Sequence, residues 1–174
     1  EYFFRIKIYK KEGLKWANKQ VSYYVGYQKY NDDVVEFSNA VTYNLENEKI
    51  VKTKLNNEGI FKKNVNKNWS EATITMPNVK VGSIIEYKYI LKTENIVEFP
   101  VFNFQYEIPV NYSEYNTEIP GFFVYKSKLL GFIQLDREQK ITNGSLNYAK
   151  ENEPTKTNSV TFQQVISKYK TYNI

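Results

Sequence analysis

Apolar and polar residues alternate along much of this chain, and the alternation is clearest across residues 71–91. A period of two is the side-chain spacing of a β-strand that buries one face. Pro77, which has no backbone N–H to donate, ends a first alternating run, and Gly82, which can adopt a positive φ, precedes a second. Tyr87 and Tyr89 lie on the apolar side of this second run. We therefore predict a hairpin here, packed through its apolar face against a second layer.

The same alternation recurs elsewhere and predicts many short strands. They are residues 4–8, 21–27, 35–45, 51–55, 102–108, 112–119, 122–125, 133–141, 146–148 and 160–172. Within residues 35–45 the odd-numbered apolar residues are predicted to share one face. Residues 46–49 are predicted to form a hairpin loop, Asn143-Gly144 a two-residue hairpin turn, and residues 150–159 a polar loop. Residues 160–172 also fit the apolar spacing of a helix, and we favour the strand.

Composition supports the same fold class. Tyr contributes 16 residues and Phe 11, and aromatic side chains favour strands over helices. With 174 residues and 41% hydrophobic content, the chain can bury about 70% of its unfolded surface in one domain. We predict an all-β fold, an antiparallel β-sandwich of many short strands with little or no helix, in a single domain spanning residues 1–174. The chain begins at Glu1 without Met, so we expect it to be an excised piece of a longer protein.

The chain contains neither Cys nor His, which restricts its chemistry. Thiol nucleophiles, imidazole bases and Cys/His metal sites are excluded within these residues. Carboxylate chemistry would use acids near aromatic residues, but acids that alternate with aromatics on a strand usually form its solvent face. These acids are Glu86, Glu107, Glu114 and Glu118. The sequence has no glycine-rich phosphate loop and no Asp-rich calcium loop. We expect no catalytic residue, no cofactor and no metal ion.

Charge is distributed unevenly along the chain, and the amino-terminal cations are expected to form a solvated face. The net charge is +5, and residues 1–30 hold seven basic and two acidic side chains, whereas residues 93–125 hold five Glu and neither Lys nor Arg. The two stretches could attract one another or a partner. Nucleic acid is disfavoured because 22 of the 24 cations are Lys, whereas base recognition relies on the planar fork of Arg. No run approaches the roughly 18 apolar residues of a membrane-spanning helix, so we expect none.

Exposed aromatic side chains suggest a second class of function. Flat rings stack on sugar faces, and a β-sandwich can present them to solvent. The candidates for ligand-facing aromatics are Trp16, Trp69, Tyr9, Tyr23 and Tyr30. Tyr is also a good strand former in any sheet, and Trp69 could cover a sheet edge. A carbohydrate- or cell-wall-binding β-sandwich module is therefore the alternative function.

Four blocks of sequence carry a family resemblance. They are residues 5–13, residues 40–47 together with 49–55, residues 76–89 (MPNVKVGSIIEYKY) and residues 104–115. Together and in this order, they resemble a bacterial domain of unknown function that lies N-terminal to transglutaminase-like domains in exported proteins. The motif positions, to which we assign a structural role, are Met76, Pro77, Asn78, Gly82, Glu86, Tyr87, Tyr89, Gln105 and Pro109.

The resemblance implies a non-catalytic accessory domain beside a papain-fold catalytic domain of the same chain. The catalytic Cys, His and Asp of that neighbour would lie beyond Ile174, and the accessory domain would position the neighbour or its polypeptide substrate. The expected partners are the downstream transglutaminase-like domain and either a polypeptide or a cell-wall glycan. The expected location is the periplasm or cell envelope, and it follows only from the resemblance.

Overall fold

A computed structural model describes residues 1–28, 31–97, 99–150 and 153–174. Within these residues the chain forms ten β-strands, all paired antiparallel, and two short 3₁₀ helices, which confirms the all-β prediction. The strands are β1 (Tyr2–Lys7), β2 (Asn18–Tyr24), β3 (Val34–Glu46), β4 (Lys49–Lys54), β5 (Ile60–Asn64), β6 (Trp69–Thr75), β7 (Ile84–Lys92), β8 (Tyr112–Pro120), β9 (Asp136–Lys150) and β10 (Glu153–Tyr172). The 3₁₀ helices are Lys11–Ala17 and Asn57–Gly59.

The chain divides into two compact units, residues 1–99 and residues 100–174. Among the described residues, the first unit contains sheet A, in the order β1-β7-β3-β4, and sheet B, in the order β2-β6-β5. The second unit contains sheet C, in the order β8-β10-β9. This division does not test the prediction of a single domain over residues 1–174, which stays a prediction.

The core of the first unit lies between sheets A and B. In β6 the side chains of Ala72 and Ile74 are buried, and in β7 those of Ile85 and Tyr87 are buried, as the alternation predicted. Lys19 in β2 links the two sheets, since its Nζ lies 5.2 Å from the ring centroid of Phe4 and 5.9 Å from that of Tyr89. The two sheets therefore form a sandwich whose inner faces supply alternate residues to one core.

The prediction of a hairpin across residues 71–91 is wrong, although both of its strands are present. β6 lies in sheet B and β7 lies in sheet A, so the connection crosses from one sheet to the other. We call this connection, residues 76–83, the arch. A hairpin and an arch share the same sequence signal, because both join two alternating runs through Pro and Gly. Only the choice of strand partner distinguishes them.

Hydrogen bonds fasten the arch to Ile8, the residue that follows β1, and to β3. Gly82 N donates to Ile8 O at 2.7 Å, and Ile8 N donates to Ser83 O at 2.8 Å. Asn44 Nδ2 donates to Asn78 O at 2.9 Å, and Ser83 Oγ donates to Asn44 Oδ1 at 2.5 Å. Asn44 and Ser83 are both buried, so these bonds satisfy polar groups that would otherwise be costly inside the sandwich.

The parity prediction for residues 35–45 is correct at the start of β3 and wrong at its end. Val35 is buried, but Leu45, placed on the same face by the alternation, is 71% exposed. The register of β3 against β7 shifts around Asn39, whose φ is +50°. Such a β-bulge adds one residue to the strand and inverts the parity after it. Thr42 and Asn44 therefore face the core.

Several predictions about loops and strands in the first and second units are confirmed. The loop between β3 and β4 lies where residues 46–49 were predicted to turn. The strand predicted at residues 112–119 is β8, and residues 160–172 belong to β10, so the strand rather than the helix is present. β5 was not predicted, because Ile60 is its one inward apolar residue and Lys62 and Asn64 share that face.

The strands predicted at residues 102–108 and 122–125 are wrong. All of these residues are described, and they form loops and bends. Pro100 and Pro109 flank the first segment and cannot donate ladder hydrogen bonds. Its apolar residues pack on sheet C instead, since Phe102 stacks on Tyr115 with ring centroids 4.8 Å apart. The alternation there reflects packing onto a sheet, not membership of one.

The turn predicted at Asn143-Gly144 is also wrong. Both residues lie within β9, where Gly144 pairs with Phe162 of β10. A Cβ on Gly144 would lie 2.7 Å from the Phe162 ring, so this glycine permits close packing across the ladder. The predicted polar loop at residues 150–159 is wrong from Glu153 onward, because β10 begins there. Residues 151 and 152 of that loop lie outside the described residues.

Replacing Gly82 with Ala should destabilise the chain through its backbone. The φ of Gly82 is +95°, which an L-residue tolerates poorly, and no heavy atom would lie within 4 Å of the added Cβ. We expect Gly82→Ala to lower the free energy of unfolding by about 1–2 kcal/mol. Urea denaturation measures this change.

Gly13→Ala is the matched control, because its φ is not positive and its Cβ would meet Ile8 at an ordinary contact distance of 3.5 Å. Equal losses of stability in the two variants would contradict the role assigned to Gly82.

Candidate functional site

The outer side of sheet A carries a group of cations around one carboxylate. Because Ile85 and Tyr87 are buried, the alternating neighbours Glu86 and Lys88 face outward. Arg5 in β1 lies opposite Glu86 on one side. On the other side the ladder continues through β3 to β4. We call this surface the basic face, and its cations are Arg5, Lys7, Lys52, Lys54 and Lys88.

Glu86 organises the middle of the basic face. Arg5 Nε donates to Glu86 Oε1 in an ion pair, and Tyr43 OH donates to Glu86 Oε2 at 3.1 Å. The Glu86 side chain is 17% exposed, whereas that of Arg5 is 66% exposed. The carboxylate is thus enclosed by its two donors, while the guanidinium remains accessible. This arrangement suits a positioning role for Glu86 better than that of a reacting acid.

Three other cations of the basic face make local contacts. Lys7 Nζ donates to Gly82 O at 2.6 Å, and Lys88 Nζ lies 3.2 Å from Glu1 Oε1. Lys52 Nζ lies 5.5 Å from the centroid of the Tyr43 ring. The five cations exceed the carboxylates of Glu86 and Glu1, so the face has a positive potential that would attract acidic groups.

The charges of the basic face shift the pKa of the Tyr43 hydroxyl. Its hydrogen bond to Glu86 raises the pKa of the Tyr43 hydroxyl above the ordinary value of 10.0, and burial and the Glu86 charge add to the rise. Arg5 acts in the opposite direction. The neutral phenol is therefore favoured because a phenolate would face a carboxylate.

A second candidate site lies on the outer side of sheet B. Trp69 in β6 pairs across the ladder with Tyr24 in β2, and their rings meet edge to face at 5.3 Å between centroids. Tyr27 meets the Tyr24 ring in the same manner at 4.8 Å. Trp69 is 45% exposed, so part of its ring is open to solvent. We call Tyr24, Tyr27 and Trp69 the aromatic platform.

Charged groups lie beside the aromatic platform. Glu71 follows Trp69 on the outward-facing side of β6, and Lys63 Nζ in β5 lies 2.9 Å from Glu71 Oε2. A partly exposed indole next to a carboxylate and an ammonium group combines a stacking surface with hydrogen-bonding groups. Such a combination can bind a sugar ring through one face and its hydroxyls.

Of the predicted ligand-facing aromatics, Trp69 lies in the platform and the others do not. Tyr9 is 75% exposed and lies between β1 and the first 3₁₀ helix, while Trp16 lies half-buried in that helix. Tyr23 shares a ladder position with the buried Ser70 on the inner side of sheet B. Tyr30 lies outside the described residues.

Sequence reasoning missed Tyr24 and Tyr27. The available signal for Tyr24 was the alternation, because a strand that buries Val21 and Tyr23 directs Tyr24 outward. The alternation gave no such signal for Tyr27, which shares the parity of Val21 and Tyr23.

The structural motif residues separate into two groups. Met76, Tyr87 and Tyr89 are buried, and Asn78 and Gly82 have positive φ in the arch. Gln105 and Pro109, by contrast, lie exposed in the loops of the second unit.

Two further properties concern metals and membranes. In the described parts of the chain, no group of three or more Asp, Glu, His or Cys side chains is arranged to hold a metal ion. No described helix has both the length and the apolar character that crossing a membrane requires.

The first unit is therefore a β-sandwich whose outer sides carry the basic face and the aromatic platform, and the second unit is built on the three-stranded sheet C. Residues 1–161 match the family DUF3857, described as a domain of unknown function, and the chain belongs to that family. No curated protein matches this chain, and no solved structure matches it.

Removing Glu86 should lower the pKa of Tyr43. Glu86→Ala takes away the hydrogen-bond acceptor and the negative charge and leaves Arg5, which favours the phenolate, nearby. We expect the Tyr43 pKa to fall toward its ordinary value, because two of the causes that raise it are removed. The chemical shift of the Tyr43 Cζ carbon, followed by NMR from pH 8 upward, measures the titration.

Glu36→Ala is the control for this measurement, since Glu36 forms an ion pair with Lys92 at 2.9 Å on the same side of sheet A. A Tyr43 pKa that does not move in Glu86→Ala would contradict the assigned cause.

Proposed function

We propose that this chain is a non-catalytic accessory domain that flanks a transglutaminase-like catalytic domain in an exported bacterial protein. It positions that domain or its polypeptide substrate in the periplasm or cell envelope. Membership of DUF3857 supports the proposal, together with the resemblance of four sequence blocks to domains found beside transglutaminase-like enzymes.

The main support for the proposal is the structural role of the motif residues. The most characteristic block, residues 76–89, builds the arch and supplies Met76, Tyr87 and Tyr89 to the core. Its polar members, Asn78 and Ser83, hydrogen-bond within the scaffold. Residues that stabilise a scaffold suit a domain whose task is to hold another one in place.

The basic face is the docking surface in this proposal. Arg5 and Lys7 on β1 and Lys52 and Lys54 on β4 are exposed, and β7 and β3 lie between these two strands in the same sheet. A partner with acidic side chains would be oriented by these charges before close contact forms. The partner is therefore expected to present carboxylates to sheet A.

The proposal predicts a catalytic domain downstream and a charge-dependent contact with it. Sequencing the gene past the codon for Ile174 should reveal a Cys, then a His, then an Asp within an α/β-patterned domain. With that domain produced separately, Lys52→Glu with Lys54→Glu should weaken its binding to this chain about three- to tenfold, as expected for two exposed charge contacts. Titration calorimetry at two salt concentrations measures the effect.

Lys126→Glu with Lys128→Glu makes the same charge change outside the basic face and serves as the control. A gene that ends soon after Ile174 would contradict the proposal. Equal weakening of binding by the two double variants would contradict the docking role of the basic face.

The aromatic platform favours a second candidate, a carbohydrate- or cell-wall-binding module. A partly exposed Trp69 ring beside the Lys63–Glu71 pair is the observation that supports it. In this alternative the platform binds a sugar ring of a cell-wall glycan by stacking.

For this alternative, calorimetry against soluble cell-wall fragments should show saturable heat, and Trp69→Ala should raise the dissociation constant. Loss of one stacking ring removes about 1 kcal/mol or more, which weakens binding at least about fivefold. Phe61→Ala is the matched control, because Phe61 is an exposed ring on the same side of sheet B. No heat from the unaltered chain, or equal loss in both variants, would exclude the platform as a glycan site.

A further inference from the structure

β10 is longer than the strand that covers one of its sides. β8 pairs with β10 only from Gln164 to Tyr172. On its other side β10 pairs with β9 along almost its entire length. Gly121 N donates to Gln163 O at 2.7 Å, and this bond marks where the chain of β8 leaves β10. Among the described strands, none pairs with β10 on this side before Gln163.

The free side of β10 has backbone groups aimed outward. In an antiparallel strand the N–H and C=O of one residue point to the same side, and the side alternates from residue to residue. Because Gln163 O points toward Gly121, the backbone groups of Ser159 and Thr161 also point to that side. We call Ser159–Thr161 the open edge. In it, Ser159 and Thr161 each present one backbone N–H and one C=O with which another strand can pair.

The open edge lacks the charges that usually protect exposed edges. From Thr157 to Ser167 the chain contains no Asp, Glu, Lys or Arg, and it contains no Pro. Uncharged stretches rich in β-branched and aromatic residues pair readily with identical stretches. Two copies of this segment can therefore meet without repulsion between their charges.

An apolar row lies next to the open edge on one face of the ladder. Val160 is 45% exposed, and its partner across the ladder in β9, Leu146, is 53% exposed. Tyr148 continues this face of β9 and is also exposed. Adjacent exposed apolar side chains in a two-stranded ribbon gain stability when a further strand extends the sheet.

We propose that the open edge pairs antiparallel with the open edge of a second copy of this chain, about a two-fold axis at Val160. In this register Ser159 lies opposite Thr161 of the second copy, and each such pair exchanges two backbone hydrogen bonds. Val160 lies opposite its own counterpart in the close, non-hydrogen-bonded position. The sheet then has one apolar row across four strands, Leu146 and Val160 from each copy.

The geometry favours a second copy over another polypeptide because the segment is complementary to itself. A two-fold axis places the small polar Ser159 beside Thr161 of the other copy and Val160 beside Val160. The backbone N–H and C=O groups of Ser159 and Thr161 are then hydrogen-bonded in both copies. Such an interface closes on itself and yields a dimer, not a chain of copies. The pairing need not extend past Gln163, where Gly121 already occupies the edge.

Engineered disulfides test the register directly, since the chain has no native Cys. Opposed residues in a non-hydrogen-bonded antiparallel pair have Cα atoms about 4.5 Å apart, which a disulfide can span. We expect Val160→Cys to form a covalent dimer under mild oxidation at least about tenfold faster than Ile141→Cys, because pairing raises the effective concentration of the two thiols. Ile141 is 68% exposed in β9 opposite Val165, where β8 covers the other side of β10.

Sedimentation velocity over a range of concentrations tests the pairing without a cross-link. The unaltered chain should shift from monomer to dimer, and Val160→Lys should raise the dissociation constant at least about tenfold by opposing two ammonium groups. Ile141→Lys should leave it unchanged. Far-UV circular dichroism of both Lys variants checks that the fold is kept.

Equal oxidation rates in the two Cys variants, or an unchanged dimer in Val160→Lys, would overturn the proposal. So would species that grow without limit, since the two-fold arrangement closes. A chain that stays monomeric at every concentration would also overturn the proposal. If its open edge then binds an extended peptide, the edge is a site for another polypeptide.

Discussion

The arch must carry the chain between two sheets that lie about 10 Å apart without leaving buried backbone groups unsatisfied. Asn44 and Ser83 meet this constraint from inside the sandwich, and Ile8, the residue that follows β1, meets it through its backbone. Because the arch bonds to the end of the β1 segment at Ile8 and to β3, and joins β6 to β7, its geometry ties together four strands of the first unit. The core and both outer surfaces depend on that connection.

The core and the basic face are two sides of the same strand. β7 sends Tyr87 into the sandwich and Glu86 outward, where Arg5 and Tyr43 bind it. A slip of one residue in the pairing of β7 would exchange these positions and bury the carboxylate. The burial of Tyr87 therefore fixes the place of Glu86, and through it the cations around it.

Much of the candidate site was beyond sequence reasoning, for a physical reason. Trp69 could be named as an aromatic candidate, but its partner Tyr24 becomes a neighbour only because β2 pairs with β6. Arg5 and Glu86 are likewise far apart in sequence and meet through the pairing of β1 with β7. Residue types suggest what a surface can bind, whereas long-range pairing decides which residues share that surface.

The sequence by itself determined the strand character of the chain, the positions of most strands and the inward residues of β6 and β7, because these follow from local alternation. Tertiary structure alone decided that residues 76–83 form an arch, that Asn39 inverts the parity of β3, and that Gly144 lies within a strand. Phe102 packs onto sheet C from a loop for the same reason. Each of these outcomes depends on which distant segment a residue contacts, and period-two alternation carries no information about the partner.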